Sequence, residues 1–153
     1  MKARIARILL WISVVLSVIL NVVYAFLGRK MVLLSRQMIE QGDYSTELLT
    51  SLDRLKPVRT VLAYPAIWLL PAGVLVVMLL LFSEPVREKL TVLWFALGAA
   101  ALIALLTLLI ALNEGRFLST VTVDLIFLWH VPAAWLIAFG IGFLIRKARS
   151  RKV

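Results

Sequence analysis

Asp124 and His130 stand in the stretch DLIFLWHVPAAW, where the chain's one histidine sits in an otherwise apolar run. Carboxylate and imidazole are the groups of acid–base and metal chemistry, so the first issue is whether they can act together. Six helical steps of about 100° set the two side chains roughly 120° apart, which rules out a dyad on one helix. A bis-histidine haem needs a second histidine and a zinc site three or four ligands, yet the chain has one histidine and no cysteine. No metal, haem or other cofactor is therefore expected, and the lack of cysteine excludes disulfides and thiol redox chemistry. The expectation for His130 is a neutral imidazole hydrogen-bonded to a neighbouring helix, with Asn21 or Tyr24 at similar depth as partner. Asp124 is expected near a helix N-terminus, where the dipole favours a carboxylate, within reach of Arg116 or an outer-loop cation.

Other polar side chains are spaced so as to meet across helices. Ser13, Ser17, Asn21, Tyr24 and Gly28 follow at steps of four, four, three and four, one polar or small face of a helix. His130, Ala134, Ala138 and Gly142 repeat at steps of four, and Gly98, Ala101 and Ala104 form a third small surface. Small ridges of this kind let helix backbones approach closely in lipid, where dispersion and interhelical hydrogen bonds replace the hydrophobic drive. By depth, Asn21, Tyr24, Tyr64, Thr107, Asp124 and His130 fall in the outer half of the membrane, a candidate polar network or ligand-binding layer. Pro65 and Pro132 deprive the carbonyls of Val61 and Leu128 of their helical donors, and Pro71 beside Gly73 should kink its helix.

The elements that position these groups follow from hydropathy. Of 153 residues, 63% are hydrophobic and the mean hydropathy is +1.01, far more apolar surface than a water-soluble domain of this size can hide. Four runs at 5–27, 60–82, 90–112 and 122–145 each exceed the roughly 20 residues that cross a hydrocarbon core as helix. The expected fold is all-α, one membrane domain of four spans in an up-down-up-down bundle. The tight turn SEPVREK should fold helices two and three into an antiparallel hairpin. Lys2, Arg4 and Arg7 before the first run imitate a signal peptide, but the run is too long for an h-region and lacks a small-residue cleavage site, so a retained signal anchor is expected.

The long outer segment 28–59 is amphipathic. Met31, Leu34, Met38 and Ile39 make one stripe, Gly42-Asp43 a break, Ser45 a capping start, and Leu48, Leu49, Leu52 and Leu55 a second stripe, with Pro57 as a stop. Two short helices lying on the outer face, or capping the bundle, are expected.

The net charge of +9 is divided unevenly. The N-terminus, the loop with Arg87 and Lys89, and the tail RKARSRK hold ten basic residues against Glu84 and Glu88, a balance of +8; the other side carries +1. The positive-inside rule then places both termini in the cytoplasm of a bacterial-type inner membrane, where the tail meets anionic lipids. Nucleic-acid binding is not expected, because no aromatic or glycine-rich recognition pattern accompanies the charge.

No carboxylate pair, nucleophile–base pair or phosphate loop is present, so an enzyme is not the expected class. Lipoprotein signal peptidases, small four-helix membrane enzymes with a long first outer loop, need two aspartates; here Asp124 stands alone, Trp135 takes the place of a second, and their Asn-Gly-Ala motif is absent. What the sequence offers is packing surface. It points to an accessory or assembly subunit of a larger membrane complex, or a homo-oligomer. The alternatives are a small transporter or lipid-binding module using the outer polar layer, and an enzyme acting on a lipid-linked substrate.

Overall fold

Long runs of Leu, Val, Ile and Ala without water-exposed breaks leave the backbone no partner but itself, and helix is the result. The computed structural model describes residues 2–42, 44–112 and 129–150. They form α1 (Lys2–Gln41), α2 (Thr46–Leu80), α3 (Val86–Leu112) and α4 (His130–Ser150). The fold is an all-α bundle. α1, α2 and α3 are each long and apolar enough to cross a membrane, and α4 adds a shorter apolar helix. The first seven residues of the expected fourth span, with Asp124, lie outside the described residues.

The burial pattern is that of a protein solvated by lipid. Trp11, Ile12, Val15, Leu16 and Ile19 on α1 point outward, whereas the buried seam is Ala6, Leu10, Val14, Ser17 and Asn21. Continued through Gly28 to Met38, that seam runs at intervals of three, four, seven and ten, sums of threes and fours. A seven-residue period keeps one face of a helix against its neighbour over many turns. α2 answers it with Ala66, Leu70, Val74 and Val77, and Leu81 just after its end is buried too. α3 contributes Val92, Ala96, Ala99, Ala100 and Ile103, and α4 contributes Val131, Trp135 and Ala138, all to one core.

The outer segment departs from expectation. In place of two short helices on the membrane face, α1 runs unbroken to Gln41 and α2 starts at Thr46, so both spans extend into one antiparallel hairpin. Residues 28–41 and 46–59 add about 21 Å to each helix beyond the expected spans. The break falls where the sequence puts it: Gly42 takes φ +61, a left-handed conformation suited to glycine. Ser45 is the N-cap of α2, with its carbonyl accepting from Leu49 N at 3.2 Å and no side-chain cap bond. Pro57 does not stop a helix; Pro57, Pro65 and Pro71 all lie inside α2. Pro57 and Pro65 are exposed, so the carbonyls they deprive lie on accessible turns of the helix.

The turn between α2 and α3 is tight, as expected. Leu81 N bonds Val77 O at 3.0 Å, Glu84 N bonds Leu81 O at 3.0 Å, and Glu88 N bonds Pro85 O at 3.1 Å, which brings the two helices back to back.

Candidate functional site

Three groups of side chains tie the helices together. At the crossing of α1 and α2, Asn21 is 6% exposed and its Nδ2 donates to Ser17 O at 2.9 Å and to Ala66 O at 2.8 Å. The second bond lands one residue before Ile67, whose carbonyl Pro71 leaves without its helical donor. A polar clamp therefore sits beside the least regular turn of α2. About two helical turns away along the seam, a Cβ on Gly73 would collide with Cβ and Oγ of Ser13, whose hydroxyl donates to Leu9 O at 2.9 Å. Glycine is required there because α1 approaches the α2 backbone directly. Ser17 is buried and its Oγ lacks a hydrogen-bond partner.

On the hairpin side of this clamp, the Arg59 guanidinium lies 4.7 Å from the centroid of the Tyr24 ring. Tyr24 thereby joins the two helices through a cation–π contact. His130 packs edge to face on Trp68, ring centroids 4.7 Å apart. Ala66 and Trp68 are about 200° apart around α2. Asn21 and His130 thus engage α2 at different residues, one at the Ala66 carbonyl and one at the Trp68 ring.

The outer polar layer is dispersed. Tyr64 is 69% exposed and faces away from the bundle. Thr107 Oγ1 donates to Ile103 O of its own helix at 2.8 Å, the usual way an apolar setting satisfies a hydroxyl. Asp124, Glu114 and Arg116 lie outside the described residues. Pro132 falls in the first turn of α4, where no helical donor is needed.

Of the small ridges, α4's is packed. Ala134 and Ala138 are buried, and a Cβ on Gly142 would stand 3.1 Å from the Phe82 ring. α3's ridge is not: Gly98 is exposed and nothing lies within 4 Å of where its Cβ would be.

The third group gathers at the end that carries the N-terminus. Lys89, counted above among topology-setting charges, is 6% exposed. Its Nζ donates to Phe82 O at 3.0 Å and lies 5.9 Å from the Phe82 ring, while its carbonyl accepts Trp135 Nε1 at 3.0 Å. One residue thus joins the α2–α3 turn, α3 and α4. Its position shows in the sequence: Lys89, Val92, Ala96, Ala99 and Ile103 fall on the buried stripe of α3. Trp135 also stacks on Phe139, centroids 5.1 Å apart, and Trp11 meets Phe95 edge to face at 4.7 Å.

Beside the Trp11–Phe95 pair opens a cavity of about 390 Å³ between the N-terminal turns of α1, the end of α2 and the start of α3. Arg7, Arg87 and Glu88 line it. None of Asn21, Tyr24, Tyr64, Thr107 and His130 does. Among the described residues, no group of three or more His, Cys, Asp or Glu could hold a metal ion. Comparison with known proteins brings no name to this arrangement, since no protein family, curated protein or solved structure matches the chain.

Proposed function

We propose that the chain is an integral protein of a bacterial-type inner membrane, with both termini cytoplasmic, that works by helix association as an accessory or assembly subunit of a larger membrane complex. The observation that carries this is the α1–α2 hairpin. α1 is 40 residues long, about 60 Å, whereas hydrocarbon and headgroups together measure about 45 Å. The excess emerges as a two-helix arm. Its tip holds Ile39 at 73% and Tyr44 at 67% exposure, large side chains that this reading sets beyond the lipid. A rigid projection with apolar contacts at its end is suited to hold another protein. The charge balance of +8 against +1 supports the orientation.

The test is purification in mild detergent followed by mass analysis of intact assemblies. The native chain is expected with a stoichiometric membrane-protein partner, and Ile39→Asp is expected to release that partner while leaving the helix content unchanged. A clean monomer for the native chain in mild detergent and in nanodiscs refutes the subunit role. Site-directed labelling of each terminus from either side of the membrane tests the orientation separately.

A further inference from the structure

The cavity near the N-terminus has the layered chemistry of the headgroup region. Its floor is apolar and closed, with Ala6, Leu10 and Leu81 all buried. One wall is the exposed Trp11 ring held edge to face on Phe95, the amphipathic aromatic pairing typical of the membrane–water boundary. Its rim carries the guanidinium side chains of Arg7 from α1 and Arg87 from α3, both exposed, so neither is committed to the core. Both helices also begin at this end, and their N-terminal amides add partial positive charge. Glu88 is the one acidic side chain lining the space, and it leaves the rim at a net single positive charge. At about 390 Å³ the volume lies within the range of small-molecule pockets, about 300–1,000 Å³.

We infer that this cavity binds the phosphate of an anionic glycerophospholipid, with Arg7 and Arg87 gripping the phosphate and the Trp11–Phe95 wall taking the first part of an acyl chain. Guanidinium groups hold phosphate oxygens with paired hydrogen bonds, and two from different helices fix the headgroup in one place. Basic pockets between membrane helices are a known means of retaining such lipids. An anionic lipid neutralises the net rim charge, whereas a phosphocholine lipid leaves that charge uncompensated. The site depends only on the chain's residence in a membrane and not on the subunit role, so either can fail alone.

Native mass spectrometry of the full chain, released from micelles with added phosphatidylglycerol or phosphatidylcholine, reads the lipid retained. Phosphatidylglycerol is expected to be retained in preference. The doubly substituted Arg7→Gln, Arg87→Gln chain is expected to lose about 25-fold in retention, from about fivefold for each basic residue at an anionic surface. Thr91→Trp, an exposed position that lines the cavity, should block retention with every charge intact. Arg4→Gln, at an exposed arginine outside the cavity, should leave retention unchanged. Equal retention of the two lipids overturns the site, as does an equal effect of Arg4→Gln and the double substitution, which would mark diffuse surface charge. Displacement of the lipid by millimolar inorganic phosphate would assign the arginines to a free anion and overturn the lipid assignment. Circular dichroism of each variant guards against loss of fold.

Discussion

Gly73→Ala adds one methyl group at the α1–α2 crossing and is expected to destabilise the protein. The methyl has no room: it meets both Cβ and Oγ of Ser13, so rotating the hydroxyl does not clear it and the helices must separate. Overpacking of this kind costs about 1–3 kcal/mol. Against it stands the gain of about 0.8–1.0 kcal/mol from replacing a glycine in a helix interior. The net expectation is a loss of up to about 2 kcal/mol, once that propensity gain is subtracted from the overpacking cost. The contact also predicts which second substitution repairs it. Ser13→Ala keeps the offending Cβ and rescues little; Ser13→Gly removes it and should restore most of the loss, a coupling of about 1 kcal/mol or more in a double-mutant cycle. Gly98→Ala is the control, since open space surrounds that position and only the propensity gain applies. Unfolding by SDS titration from mixed micelles, followed by far-ultraviolet circular dichroism, measures the single and double variants. A Gly73→Ala protein stabilised to the same extent as Gly98→Ala, with no coupling to Ser13→Gly, refutes the close approach of α1 to α2.

The same titration checks three further expectations. Ser17→Ala removes a buried hydroxyl without a partner and leaves intact the backbone carbonyl that Asn21 uses, so stability should hold or rise by about 1 kcal/mol. Asn21→Val deletes the bond to Ala66 O and should cost about 0.5–2 kcal/mol, the range for interhelical hydrogen bonds in membranes. Trp135→Phe keeps an aromatic ring against Phe139 but loses the donor to Lys89 O; a loss of about 0.5–1.5 kcal/mol is expected, and no change would dismiss that bond as a fastener of α4.

Hydropathy made the spans legible because lipid imposes a length and an apolar composition on any helix that crosses it. Periodicity made the inward face of α1 legible through Ser13, Ser17 and Asn21, and the helix break at Gly42 was readable from its residue type. The hairpin was not legible, for a physical reason. An amphipathic stripe on 31–39 serves equally for a separate surface helix and for the continuation of α1, and nothing in Gly28-Arg29-Lys30 forces a choice. Buried Gly28, on the seam facing α2, joins the two parts. Pro57 reads as a stop because its ring and missing amide disfavour a helix interior; at an exposed turn the cost falls and the helix continues. Lys89 reads as a loop charge from its place after Pro85, although its position on the stripe of Val92 and Ala96 marks it as inward-facing. Arg7 and Arg87 entered the sequence as a topology signal, and only the packing of α1 beside α3 brings them to one cavity. Pairings between helices far apart in sequence leave no local trace.

The uninterrupted course of α1 has a mechanical consequence. Ser13 and Gly73 meet about 17 Å from the N-terminal end of the rod and about 42 Å from its tip, so a tilt about that contact would be divided between arms of unequal length. A sideways displacement of about 5 Å at the tip swings the opposite end by about 2 Å the other way, if the rod stays straight over its 1.5 Å per residue. That short arm is the wall bearing Ala3, Ala6 and Arg7, with α3 standing across from it. A tilt at the hairpin end would thereby reach the cavity end reduced in amplitude.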